Sequence, residues 1–108
     1  MIMSDVAYTI GAKSGDYEFD FVAWNNRYDG YDIVTSDSLE DYEGWAFIRA
    51  EGETDLIVYR YDTEKEAHEG LAEAKGTFDN LKLLILKMEE DDGEWWVDSI
   101  IEVDNDNL

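Results

Sequence analysis

The sequence predicts an α+β domain: a mostly antiparallel sheet of about six strands, in the order ββ-loop-ββ-α-ββ, with one amphipathic helix packed on one face. Three observations carry that expectation. Period-two alternation of apolar and polar residues recurs in paired segments bounded by Gly, Asp, Asn and Ser. One stretch, 63–77, changes to helical period and opens with a capping signature. The chain has 108 residues, the length of a single domain, and its 44% hydrophobic and 14% aromatic content supplies enough apolar surface for one core.

The first strand is read over Val6 to Lys13, with Val6, Tyr8, Ile10 and Ala12 on one face and Ala7, Thr9 and Lys13 on the other. Ser14-Gly15-Asp16 is a turn signal. Beyond it Tyr17, Phe19 and Phe21 alternate with Asp16, Glu18 and Asp20, which completes a first hairpin whose outer face is a row of carboxylates. The pattern then breaks, and 25–43 reads as a long ordered loop containing at most one helical turn begun by Ser36 or Ser38. Trp45 to Glu51 and Leu56 to Tyr61 flank the turn residues Gly52 to Asp55 and form a second hairpin.

Thr63 and Glu66 make a capping box, and Ala67, Leu71, Ala74 and Phe78 recur at helical spacing behind it, so the helix offers a small-residue stripe to the sheet. Leu81 to Met88 is apolar on both faces apart from Lys82 and Lys87, as in a covered strand. Asp91-Asp92-Gly93 is a turn, and in the last strand Trp95, Val97, Ile101 and Val103 alternate with Trp96, Asp98, Ile100 and Glu102. The tail, 104–108, is expected to fray.

Charge is the dominant compositional feature: 28 Asp and Glu against 8 Lys and Arg leave a formal net charge of −20. Such a surface repels nucleic acid and anionic membranes, which both require clustered Lys and Arg. Its natural partner is a basic protein. High charge is also half of the signature of disorder, but 4 Trp, 7 Tyr and 4 Phe supply what disordered chains lack. The chain has no cysteine, so neither disulfides nor thiolate metal sites are available. The first residues lack the basic and apolar regions of a signal peptide and no stretch approaches 18 apolar residues, so the expected location is cytoplasmic.

Catalytic chemistry is poorly supplied. The single histidine, His68, falls toward the side of the helix as a solvated residue, and no nucleophile elbow, phosphate loop or dinucleotide fingerprint is present. Glu73-Ala74-Lys75 has the acid-x-Lys form carried by metal-dependent nucleases, but on a helix and in a field that repels the substrate. A glycosidase needs two acids across a deep sugar cleft, for which a single-layer sheet of this size has little room. Asp104-Asn105-Asp106-Asn107 lacks the glycine and distant Glu of a calcium loop. No catalytic residue, metal site or cofactor is therefore expected.

The acids themselves suggest the role. Twenty charges correspond to about 34 Å of duplex DNA, or ten base pairs, and a compact chain of this length has a similar diameter. In size, charge and regular rows of carboxylates the chain resembles the small acidic phage-encoded proteins that mimic DNA, among them anti-restriction and anti-CRISPR inhibitors. Tyr61-Asp62-Thr63-Glu64-Lys65-Glu66-Ala67-His68-Glu69-Gly70 is also similar to a helix start found in short phage proteins, departing from it where Leu71 rather than His follows the glycine. The resemblance implies a non-enzymatic inhibitor in the host cytoplasm, monomer or homodimer, that binds a basic host DNA- or RNA-binding protein such as a CRISPR effector, restriction enzyme or nucleoid protein.

Its expected binding surface comprises Asp16, Glu18 and Asp20 of the first hairpin, Asp29, Asp32, Asp37, Glu40, Asp41 and Glu43 of the loop, and Asp91, Asp92, Asp98 and Glu102 of the last hairpin. Tyr28, Tyr31, Tyr42 and Trp96 are the aromatic anchors amid that charge. The competing readings are an acidic adaptor that docks on a basic protein without imitating DNA, and halophilic adaptation of the surface. The basic residues Arg49, Arg60, Lys82 and Lys87 are placed within strands, which concentrates the acid excess on the hairpin faces and the loop.

Overall fold

The computed structural model describes residues 5–14, 18–49, 54–78 and 80–103. The element order is β1 (Val6–Lys13), β2 (Phe19–Asn25), β3 (Gly30–Val34), β4 (Leu39–Tyr42), β5 (Ala46–Arg49), β6 (Leu56–Tyr59), α1 (Glu64–Lys75), β7 (Leu83–Asp91) and β8 (Glu94–Glu102). The α+β class, the antiparallel pairing and the single helix agree with the sequence reading. The strand count and the form of the sheet do not. Among the described residues eight strands are present, and seven of them close into a barrel in the order β1-β7-β8-β4-β5-β6-β2, with β2 returning to β1. The two additional strands, β3 and β4, lie in the segment read as a loop, and no helical turn forms there.

Closure is achieved at β2. Phe21 faces Gly11 of β1 on one side and Val34 of β3 on the other, while Trp24 faces Ile57 of β6 and Tyr31 of β3. Thus β3 lies along one edge of β2, and β1 and β6 share the other. A ring of strictly antiparallel neighbours needs an even number of strands, because direction must alternate around it. The seven-membered ring resolves this through a three-way junction. Beyond β2 the chain of β6 meets β1 directly, with reciprocal backbone bonds of 2.8 Å between Tyr8 and Tyr61. The Thr9 hydroxyl adds a 2.7 Å bond to the Tyr59 carbonyl. β2 therefore acts as a wedge in a ring whose directions already alternate.

The closed sheet divides the core in two. Ala7, Phe21, Ala23, Leu39, Phe47, Val58, Leu84, Leu86, Met88 and Trp95 fill the lumen, whereas Ile10, Ala12, Val22, Leu83 and Ile85 face outward beneath Ala67, Leu71 and Ala74 of α1. β1 and β7 are thus covered on both sides. For β1 this corrects the reading of one polar face: Ala7 and Thr9 are 0% and 1% exposed. Small lumen residues of β1 complement large ones of β7, as small barrels require. At Gly11 a Cβ would lie only 2.8 Å from Leu86 Cδ1 and 2.9 Å from Leu84 Cδ1.

The turns and caps follow from local chemistry. Asp92 and Gly93 have φ of 53° and 83° between the paired Asp91 and Glu94, the two left-handed residues of a two-residue hairpin loop. Thr63 Oγ1 accepts the Glu66 N–H at 3.2 Å to start α1, which is the N-cap half of the predicted box; the Glu66 carboxylate accepts from the Thr63 hydroxyl at 3.3 Å rather than from its backbone N–H. Arg60 and Lys82 sit just outside β6 and β7 rather than within them. The turn residues 15–17 and 50–53, Asp79 and the tail 104–108 lie outside the described residues.

β8 carries the most consequential departure from simple alternation. The register shifts between Lys87 and Met88, which pair with Ser99 and Val97, so Asp98 is the extra residue of a β-bulge. Trp95 and Val97 pack on the lumen before it, and Ile101 and Val103 join the helix side after it. The four residues assigned to one face are divided between two.

Two substitutions test this architecture. Leu71→Ala, on the buried face of α1, is expected to cost about 2–5 kcal/mol, and Gly11→Val, overfilling the lumen, about 1–3 kcal/mol. Both are read from the urea midpoint at unchanged m-value.

Candidate interaction surface

Trp96 is the centre of the most distinctive surface. Its neighbour Trp95 is fully buried in the lumen, so alternation turns the Trp96 indole outward, where it is 44% exposed. It pairs across the hairpin with Glu89. The bulge at Asp98 then brings that carboxylate beside Glu89, as well as 4.0 Å from Lys87 Nζ. Among the described residues β4 pairs with β8 only at Trp95 and Glu94, so from Trp96 onward the edge of β8 away from β7 has no described partner strand.

Two depressions meet at Trp96 and Val97. One, of about 540 Å³, is bounded by Glu18, Phe19, Asp20, Thr35, Ser36 and Asp37. Phe19 and Val97 pack against the lumen cluster, while the acids stand around them. The other, of about 320 Å³, is bounded by Glu89, Glu90, Asp91 and Asp98. An exposed indole is thus flanked by seven carboxylates from β2, β7, β8 and the segments beside β2 and β3. Asp20 is oriented by the Thr35 hydroxyl at 2.8 Å.

Like charges oppose one another here. A hydrogen bond and Coulombic repulsion from Asp98, with some burial, hold the Glu89 proton more tightly than in an isolated carboxylic acid. Burial followed by contact with Asp5, and the field of Asp41, does the same to Glu90. Both groups favour a neighbouring cation over their present company.

The structure gathers Glu18, Asp20, Asp37, Asp91, Trp96 and Asp98 from the expected set. The others lie elsewhere or are otherwise engaged. Asp16 falls outside the described residues. Asp41 is paired with Arg60 at 2.7 Å, and Glu102 lies 3.4 Å from Lys82 Nζ at the far end of β8. Tyr28 and Asp29 occupy the β2–β3 loop and Tyr31 and Asp32 occupy β3; Asp32 accepts hydrogen bonds from the Ile33 amide and the Asn25 side chain. Glu40 and Tyr42 are in β4, with Glu43 in the following turn, where Tyr42 packs edge-on against the exposed Trp45. Asp92 serves the left-handed hairpin turn.

Sequence reasoning missed Glu89 and Glu90. Their signal was the unbroken run Glu89-Glu90-Asp91-Asp92, of which only the last two were read as surface, because the strand was ended at Met88. His68 lies 3.4 Å from Glu64 along the helix, and Lys75 Nζ donates to the Leu81 carbonyl at 2.9 Å. Among the described residues no group of three or more His, Asp or Glu side chains is arranged to hold a metal ion. Among the described residues no helix is long and apolar enough to cross a membrane.

The carboxylate crowding predicts a pH dependence with a definite sign. A carboxyl group whose proton affinity is higher in the folded chain than in the unfolded one favours folding below its ordinary value of 4.5, and that contribution is lost as pH rises through the folded value. Glu89→Gln is therefore expected to raise the melting temperature at pH 8 in low salt. That gain should hold while Glu89 stays ionised, shrink as pH falls through its folded value and be gone well below 4.5; a gain that persists there would show that Glu89 is not under repulsion.

No protein-family model matches the chain, and neither the curated proteins nor the solved structures compared with it contain a match.

Proposed function

We propose that the chain is a non-catalytic inhibitor that occupies the nucleic-acid-binding surface of a basic protein and excludes the nucleic acid. The observation that carries this reading is the exposed Trp96 set between two acidic depressions. Acid alone accounts for steering and for solubility. An indole left 44% exposed among carboxylates is available to a partner, and aromatic anchors surrounded by charge are what durable interfaces use.

The dimensions agree with mimicry of a duplex. The molecule measures 41 × 32 × 25 Å. A duplex 41 Å long carries about 24 phosphate charges, against a net charge of −20 here. A basic channel that accommodates DNA by backbone contacts meets a similar linear charge density on this surface. Encounter is accelerated by long-range attraction and falls steeply with ionic strength, while the Trp96 contact sets the lifetime of the complex.

The test is capture of a partner from a host lysate on the immobilised protein, followed by competition with duplex DNA. Saturating protein is expected to displace DNA from the captured partner; a partner that binds both together overturns mimicry and leaves the adaptor reading. The double reversal Asp20→Lys with Asp98→Lys is expected to weaken binding far more than Glu64→Lys with Glu69→Lys on α1, at identical net charge. Equal losses would reduce the effect to net charge. Trp96→Ala is expected to lose about 2 kcal/mol, roughly 30-fold in Kd, with little change in folding stability.

A further inference from the structure

A third hollow, sharing no residue with the two around Trp96, has a volume of about 340 Å³ and is lined by Trp24, Tyr31, Tyr59, Arg60, Tyr61 and Glu73. That volume is at the small end of the range for ligand sites, about 300–1,000 Å³. We infer that this hollow takes the guanidinium of an arginine side chain presented by the basic partner. The inference rests on the partner being basic, and it names the chemistry of a second point of contact.

The hollow is built at the barrel's closure. Trp24 of β2 and Tyr31 of β3 are cross-strand partners whose rings stand at 88° with centroids 5.2 Å apart, forming a corner. Tyr59 ends β6, and Tyr61 follows it in the bridge to β1. The Tyr61 ring lies against α1 because residue 70 is glycine: its hydroxyl occupies the place that a Cβ there would take. Glu73, exposed on α1 three residues further on, closes the side.

The electrostatics select a cation. Burial first, and then the nearby Glu73 carboxylate and neighbouring phenols, make all three tyrosine hydroxyls harder to ionise, Tyr61 most of all. They remain neutral. Arg60 is balanced by Asp41 at 2.7 Å, and its guanidinium carbon lies 4.6 Å from the centroid of Trp95. Glu73 is then the one lining charge without an ion-pair partner among the described residues.

The acceptor set distinguishes among cations. None of the hydroxyls of Tyr31, Tyr59 and Tyr61 forms a hydrogen bond with another described residue. Three phenolic oxygens and a carboxylate offer acceptors to the five fixed donors of a guanidinium, and four aromatic rings offer cation–π attraction. A quaternary ammonium has no donors to use on them. A lysine ammonium is more strongly hydrated and loses more on entering an aromatic hollow. An anion meets Glu73 and the field of the whole chain.

The test needs no partner. N-acetyl-arginine amide is titrated into the isotopically labelled protein and followed by NMR at the Trp24 indole and the Tyr31, Tyr59 and Tyr61 rings. Saturable shifts in the millimolar range are expected there, with Glu73→Gln weakening binding about tenfold and Tyr61→Phe weakening it less. Glu73 is exposed, so the unchanged remainder of the spectrum verifies that its variant folds. Absence of saturable shifts, unaltered binding to Glu73→Gln, equal affinity for N-acetyl-lysine amide or tetramethylammonium, or matching shifts with inorganic phosphate would each overturn the assignment. Those outcomes concern this hollow alone: DNA displacement by the wild-type chain, unaffected by Glu73→Gln, would separate its failure from that of the inhibitor reading.

Discussion

Reciprocal backbone hydrogen bonds between Tyr8 and Tyr61, with the Thr9 hydroxyl on the Tyr59 carbonyl, hold the end of β6 against β1 and turn a sheet into a barrel. Everything else in the structure depends on that closure. It creates the lumen that Phe21, Phe47, Leu86 and Trp95 fill, and it leaves the opposite faces of β1 and β7 as the platform for α1. It also pairs the edges of β1 and β6, which in an open sheet would invite other chains. The wedge formed by β2 is what allows a ring of seven strands to close without a direction conflict.

A small barrel is a suitable support for a surface of this charge. Self-repulsion among 28 acidic residues opposes compactness, and two apolar clusters back to back, sharing β1 and β7, oppose it. Some acids are neutralised where they meet the core. Asp41 binds the Arg60 guanidinium, which itself covers the buried Trp95 and Phe47 rings. Arg27 and Asp55 tie the β2–β3 loop to the start of β6 at 2.7 Å. Around Trp96 the only ion pair among the described residues is the long one from Lys87 to Asp98, and there carboxylates face one another. The acid excess is thus compensated where the fold is built and left uncompensated beside an exposed aromatic ring.

The strong local signals were legible in the sequence. The N-cap at Thr63, the Asp92-Gly93 turn and the period of Ala67, Leu71 and Ala74 each rest on residues at most seven positions apart in the chain, and each appears where that chemistry places it. The 25–43 segment was not legible, because β3 and β4 are four or five residues long, half-buried and rich in Asp, Tyr and Gly. They become strands only because β2 and β5 supply partners for their backbone groups. The bulge at Asp98 was invisible for a related reason: an alternating pattern carries no mark of the point where an extra residue reverses it, and only pairing with Lys87 and Met88 exposes the slip.

The site shows the same division. By itself the sequence determined that this is a folded α+β chain with one capped helix, no cysteine and a large acid excess, since those properties follow from composition and short-range spacing. Tertiary structure decided which acids act together. Glu18, Asp20 and Asp37 reach Trp96 because the strands close into a ring, Asp98 reaches Glu89 because β8 bulges, and Asp41 and Glu102 are withdrawn by Arg60 and Lys82. Coulombic interaction falls with distance in space rather than along the chain, so a charge pattern acquires a direction only after the fold has set those distances.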